Sequence, residues 1–391
     1  MSGDMFKRIY GVARRECGIM RKNLMYLFCM VVFPVIVTVF FTSLMADGQP
    51  TDMPVGVVDH DNTATTRTLV RKLDAFQATK VTARYASVAE ARRAIQRNEI
   101  YAFLYIPEGT TAELLAMRQP KISFYYSSTS YTAGALLYRD LKTISTLGSA
   151  SVGASLLSAK GLTEEQVMSV LQPVVVDLHT VNNPMVNYSV YLNTMLVPGC
   201  LMLFIFLVTA YSLGTELKFN SAKEWLSASG DNIAVAILGK MLPQTLIWLA
   251  IFYGYMFYVF GVLQFPHPGG TGYILLLGLL SVLSSQAFGI FVFGLVPSLR
   301  MSMSICCLWA VLSYSLSGTA FPLSAMDAEI KAIAQLFPLR HYYMVYQLNI
   351  FNGYPIDYSW PYIGALLVFT ALPLLVAGRI KKNVLAYQYL P

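Results

Sequence analysis

Long uncharged runs separated by polar connections set the frame of this chain. Residues 24–44, 190–213, 233–260, 273–296, 302–320 and 362–378 are apolar and almost free of charge. Each approaches the ~20 residues that ~30 Å of hydrocarbon requires at helical rise. The pattern predicts six membrane-spanning helices. Ahead of the first, residues 1–23 set Phe6, Ile9, Tyr10 and Ala13 at helical spacing against Lys7, Arg8, Arg14, Arg15, Arg21 and Lys22, with only Asp4 and Glu16 acidic. That is an amphipathic cytoplasmic lead-in. A secretory signal peptide would have a shorter apolar region ending in small residues, and Leu44-Met45-Ala46 is a poor cleavage site, so 24–44 reads as an uncleaved span.

The polar stretch 45–189 changes period. Residues 55–58 form a buried-strand run, and the capping residues of 59–63 precede a helix over 67–76. Residues 80–85 read as a second strand. Ser87 and Glu90 have capping-box spacing ahead of a helix through 97, and 101–106 and 122–126 read as two more strands. A long helix over 130–160 is expected to leave this α/β core and return toward the membrane. The fold class is therefore a polytopic α-helical membrane protein with six transmembrane helices and an α/β extracytoplasmic domain inserted between helices 1 and 2.

Charge fixes orientation. The chain of 391 residues is 55% hydrophobic and 13% charged, too apolar for an ordinary soluble globule. Its net charge of +7 is not a nucleic-acid footprint: residues 46–187 carry thirteen Lys or Arg against thirteen Asp or Glu, so the surplus sits in the membrane portion. Arg300, and Arg379 with Lys381 and Lys382, mark cytoplasmic connections, while 261–272 has no Lys or Arg. Both termini are thus cytoplasmic. The spans run 24–44, 190–214, three within 233–320, and 361–379, with a cytoplasmic elbow at 215–232 and a tail at 380–391. The connection 321–360 is extracytoplasmic, with a short helix over 328–336 dipping back toward the bilayer before an aromatic belt of Tyr354, Tyr358, Trp360 and Tyr362. None of the five cysteines lies in 46–187, so no disulfide framework is expected there.

The chain is poor in catalytic patterns. Gly239-Lys240-Met241 is the nearest approach to a nucleotide-binding loop, but Ala234 stands where its first Gly belongs. Asp59-His60-Asp61 fits an acidic cap at a strand-to-helix turn better than a metal site, and His179, His267 and His341 are isolated. No nucleophile elbow or metalloprotease helix motif occurs. Lys240 reads as a side chain snorkelling to the interface. The elbow stands out instead, with Glu216, Lys218, Lys223, Glu224 and Trp225 between two apolar runs. Six spans without an energy source and with such an elbow call for an external motor, and Trp225 is its expected anchor. The competing reading is an interfacial helix with Trp225 at headgroup depth and its lysines on anionic lipid.

These features resemble the permease subunits of ATP-binding-cassette exporters of the ABC-2 type over essentially the full length. The local marks are Asn183-Pro184 ahead of span two, Val197-Pro198-Gly199 inside it, the elbow from Glu216 to Ser229, and Gly318 with Phe321-Pro322 and Phe337-Pro338 after span five. The family elbow usually carries a Gly-Thr pair before its second acidic residue, where this chain has Asn220-Ser221-Ala222. The resemblance implies an inner-membrane export permease paired with a second copy or a sister permease and with two cytoplasmic ATPase subunits. It would bind no cofactor itself, ATP and Mg being handled by those subunits. Spans two and five would face the partner half, with Asn193, Thr194, Pro198 and Ser313 on the substrate path. Few charges lie in the spans, which suits apolar or amphipathic, drug-like or lipid-like substrates. The outer domain would meet a periplasmic adaptor, and membrane lipids surround the rest. Two other classes remain: a non-transporting anchored assembly or receptor protein, and an intramembrane enzyme. Copurification of an ATPase separates them.

Overall fold

The computed structural model describes residues 2–116, 118, 120–159, 161, 163, 165–167, 183 and 186–386. The chain forms two compact units, Asp47–His179 and the remainder, Met1–Ala46 with Thr180–Pro391.

The smaller unit is built on a four-stranded sheet. β1 (Met53–Asp59), β2 (Thr79–Arg84), β3 (Ala102–Ile106) and β4 (Ser123–Tyr126) lie in the order β2-β1-β3-β4. β1 runs parallel to β2 and β3, and β4 closes the edge antiparallel to β3, with Val57 opposite Leu104 and Leu104 opposite Phe124. Alternation along the strands feeds two cores, as a period of two requires. Val55, Val57 and Leu104 meet Val70, Leu73 and Leu137, while Val58 and Phe103 meet Ala91 and Ala94. Helices therefore cover both faces, Ala64–Asp74 and Tyr131–Ala159 on one and Val88–Gln96 on the other. The long helix differs from expectation in its first half. Ala133, Leu137, Leu141 and Ile144 pack into the sheet core, and buried Asp140 accepts a hydrogen bond from Thr79 Oγ1 at 3.1 Å.

The acidic turn after β1 is spent on caps. Asp59 accepts from the amides of Asp61 (3.1 Å) and Asn62 (2.9 Å) and from Thr66 Oγ1 (2.8 Å). Asp61 accepts the amides of Gly109 (3.0 Å) and Thr111 (3.1 Å) and the Thr111 hydroxyl, in the first turn of the helix Thr110–Leu115. The carboxylate satisfies donors the helix leaves open and sits at the positive end of its dipole.

In the larger unit, six helices among the described residues are long and apolar enough to cross a membrane: Leu24–Leu44, Tyr188–Lys218, Ile233–Val262, Thr271–Leu295, Leu299–Leu316 and Trp360–Ala386, spans one to six. Spans two and four are the most buried. Small residues permit the close approaches. A Cβ on Gly199 would lie 2.6 Å from the Tyr314 ring of span five, and one on Gly289 of span four would lie 3.0 Å from Thr209 of span two. Pro198 and Pro243 sit inside spans two and three, and both are buried.

The boundaries depart from the apolar runs where local chemistry overrides them. Span two continues through Glu216 to Lys218, so the elbow begins at Phe219. Span five ends at Leu316, because Gly318 adopts a left-handed φ of 99° and Ser317 turns its hydroxyl onto Thr319. Span six runs past its basic residues with Val376, Ile380 and Val384 buried beside the elbow. The 321–360 connection holds a second helix that sequence did not predict, Pro338–Val345, after Ala328–Ala334. The turn between them reaches the middle of span five, where Trp309 Nε1 donates to Leu336 O at 3.1 Å.

Candidate functional site

The N-terminal helix Ser2–Lys22 turns Val12, Ala13 and Glu16 inward. It can lie against span three because Gly239 has no side chain: a Cβ there would come 2.7 Å from Val12 Cβ and 3.0 Å from Ile9 O. Gly239 thus serves helix packing rather than a phosphate loop. The approach brings together two polar pairs at i, i+4 spacing, Ser212 with Glu216 on span two and Lys240 with Gln244 on span three. Each pair lies on one helix face.

Lys240 is 0% exposed. Its Nζ donates to Glu16 Oε2 at 2.6 Å and to Glu216 Oε1 at 2.7 Å. Arg15 grips Glu216 with two donors, at 2.6 and 3.0 Å, and Ser221 Oγ adds a third contact at 2.5 Å. Glu16 Oε1 accepts from Ser212 Oγ (3.0 Å) and Gln244 Nε2 (2.9 Å). Two cations and two carboxylates therefore cancel in a buried cluster, the condition under which buried charge is tolerated. Snorkelling of Lys240 is corrected here: partners on two helices neutralise it in place.

Trp225 roofs this cluster. It lies on the short elbow helix Ala222–Ala228, is 0% exposed, places its ring 5.6 Å from Lys240 Nζ, and donates from Nε1 to Ala236 O at 3.2 Å. Trp225 and Glu216 were expected to face a partner, but both are buried within the chain, where Arg15 of the N-terminal helix and Lys240 neutralise Glu216. Lys218 at the end of span two and Phe219, Lys223 and Glu224 of the elbow are exposed instead. Phe219 is 67% exposed, the aromatic that sequence reading missed. Lys381 Nζ holds the far end of the elbow through Asp231 O at 2.6 Å, and the Arg8 guanidinium lies against Gly230.

The residues expected along a substrate path are placed differently. Asn193, Thr194, Pro198 and Ser313 are all buried, and spans two and five pack directly on each other. Asn193 Nδ2 donates to Ser189 Oγ (2.9 Å), Thr194 Oγ1 to Val190 O (3.1 Å) and Ser313 Oγ to Ala310 O (2.5 Å). These donors return to their own helices, Asn193 Nδ2 also reaching Phe41 O of span one at 3.4 Å, and among the described residues the four side chains are packed away rather than facing an open channel. Asn183 accepts from the Asn187 amide at 2.9 Å and Asn187 caps span two, while Pro184 and His179 lie outside the described residues.

Six membrane-length apolar helices, with a buried ion cluster joining the N-terminal helix to spans two and three beneath a charged elbow, define a multi-pass helical membrane protein. The model of the family described as ABC-2 family transporter protein matches residues 25–379, and the chain belongs to that family. Membership makes it a membrane transport component, not itself catalytic, of a family that works with ABC ATPase subunits. No curated protein matches the chain. Arg15 and Glu16 precede the matched segment, so the half of the cluster supplied by the N-terminal helix lies outside the family pattern.

Proposed function

We propose that this chain is the permease half of an ABC exporter whose ATPase subunits dock on the exposed elbow face and drive an apolar or amphipathic, drug-like or lipid-like substrate out across the inner membrane. The observation that carries the reading is the buried cluster of Arg15, Glu16, Glu216 and Lys240 directly beneath that face. A soluble motor must push on something stiff. Here the pushed segment is tied to the ends of spans two and three, Ser221 Oγ donating to Glu216 and Trp225 standing over Lys240, and span two packs on spans four and five, so displacement of the elbow travels as a rigid-body shift. A lipid-facing turn would not need such bracing. In this reading both termini and the elbow are cytoplasmic, the Asp47–His179 unit is an extracytoplasmic α/β domain able to meet a periplasmic adaptor, and a second copy or sister permease completes the path that one chain leaves closed. ATP and Mg stay with the motor.

The test separates the exposed aromatic from the buried one. Phe219→Ala, alone or with Glu224→Ala, is expected to insert and melt like wild type yet bind the ATPase some thirtyfold more weakly, as loss of a ~2 kcal/mol anchor implies. Trp225→Ala is expected to lower the melting temperature, since emptying a buried aromatic site costs about 3–5 kcal/mol. Copurification of the ATPase with wild type at unchanged affinity in both Phe219 variants would remove the elbow from the docking surface. Absence of any ATPase from the wild-type preparation would favour an anchored receptor.

A further inference from the structure

A cleft of about 580 Å³ opens between spans four, five and six and the Leu336 turn, lined among others by Phe288, Trp309, Leu336, Val368, Phe369 and Leu372. Its size is that of a small-molecule site, but its walls carry almost no polar atoms. It lies along three membrane helices, so the medium facing it is hydrocarbon.

One end of the wall is different. Gln335 and Phe369 line the cleft, and His341 stands behind both, its Nε2 2.8 Å from Gln335 O and its ring 5.9 Å from Phe369. Beside it, Arg340 is 6% exposed. Its Nη1 donates to Ser317 O at 3.3 Å and its guanidinium lies 5.9 Å from the Tyr362 ring, yet no carboxylate among the described residues pairs with it. Among the described residues, Arg340 Nε and His341 Nδ1 have no hydrogen-bond partner. A buried guanidinium without a counter-ion is costly, and an anion from outside the chain would relieve it. Depth points to the source. Ser317 directly follows span five and Tyr362 lies in the first turn of span six, so the guanidinium sits at the shared end of two spans, where lipid phosphates lie.

We infer that the cleft binds an acidic phospholipid of the bilayer, one acyl chain between spans five and six and the phosphate at Arg340. This site stands apart from motor docking and holds whether or not the elbow is the coupling surface. Purified wild-type protein in detergent, offered phosphatidylglycerol and phosphatidylcholine, is expected to retain the anionic lipid about tenfold better by native mass spectrometry, the size of one charge-assisted contact. Arg340→Gln is expected to erase that preference and Arg340→Lys to keep most of it. Val368→Trp, at a rim position that is 65% exposed, is expected to lower retention of both lipids by filling the cleft. Equal retention of the two lipids by wild type, or an unchanged preference in Arg340→Gln, overturns the assignment. Displacement of phosphatidylglycerol by inorganic phosphate alone overturns it too, because the acyl chain would then contribute nothing. If Arg340→Gln cannot be purified, wild-type lipid retention by Val368→Trp is sufficient to reject the site.

Discussion

Lys240 shows how far a single charged residue at a helix end depends on groups that are distant in sequence. Glu216 is 24 residues away and Glu16 is 224, and both lie within 2.7 Å of its ammonium. Removing the cation leaves Glu216 with Arg15 but strands Glu16 with only neutral donors from Ser212 and Gln244. Lys240→Met is therefore expected to destabilise by about 3–5 kcal/mol, the cost of leaving a buried charge uncompensated. Thermal unfolding in detergent measures it. Adding Glu16→Gln to Lys240→Met is expected to recover more than half of the lost melting temperature, because the stranded charge goes with its partner. Equal melting of the single and double variants would mean that the cluster does not hold the N-terminal helix. Sequence alone made half of this visible. Glu216 and Lys240 stood out as charges at the ends of apolar runs, but Ser212 and Gln244 were passed over, and the pairing of the group with Glu16 is set by tertiary packing, beyond the reach of any local pattern. Glu16 looked like a stray acid in a basic segment, and Trp225 looked exposed because the elbow around it is charged.

At the scale of elements, the spans were legible because an uncharged run of membrane length has few alternatives, whereas the helix Pro338–Val345 was not. Its Arg340, His341, Tyr342 and Tyr343 offer no uncharged run and were given no element, and only burial among spans four, five and six turns them into helix interior. Caps in the smaller unit were legible at Thr63 and Ser87, since a cap acts within three residues. The bond from Asp61 to the helix Thr110–Leu115 crosses 50 residues and was not. It has a pH signature. Hydrogen bonds from the Thr111 hydroxyl, foremost, and from backbone amides outweigh desolvation and hold the Asp61 carboxyl below its ordinary 3.8. A lowered folded-state value means stability that is present above pH 3.8 and lost as pH falls through the folded value. Amide exchange across residues 110–115 in the full chain, corrected for intrinsic rate, is expected to stay protected down to about pH 4 and to open below it. Asp61→Asn is expected to raise exchange there several-fold at neutral pH, by the ~1 kcal/mol of a charged cap, and to flatten its pH dependence. An unchanged profile in the variant would assign the acid sensitivity to another group.

At the scale of the whole molecule, charge is partitioned by unit. The thirteen cations and thirteen anions of residues 46–187 leave the surplus of +7 to the membrane unit, carried mainly by the N-terminal helix and the end of span six, while the elbow sets Lys218 and Lys223 against Glu216, Glu224 and Asp231 and adds none. The proposal that the N-terminal helix and the end of span six lie in the cytoplasm and the Asp47–His179 unit outside rests on the positive-inside rule. A pair of thiols in one molecule tests this with opposite signs. Cys17 is native, exposed and on the N-terminal helix, while Gln77 is exposed in the turn before β2. The probe is Gln77→Cys with Cys29, Cys200, Cys306 and Cys307 replaced by Ser, treated in intact cells with a membrane-impermeant thiol reagent. Position 77 is expected to label at once, and Cys17 only after the inner membrane is permeabilised. Labelling at 77 that waits for permeabilisation would place the sheet domain in the cytoplasm. It would also take the elbow off the ATPase side, since Arg15 of the N-terminal helix pairs with Glu216 at the end of span two and with Glu224 of the elbow, and the three must share one side of the membrane. Prompt labelling of both thiols would instead break the chain of inference at the first span. With 77 reactive and Cys17 protected, Lys218, Phe219, Lys223 and Glu224 face the compartment where a nucleotide-driven partner can reach them.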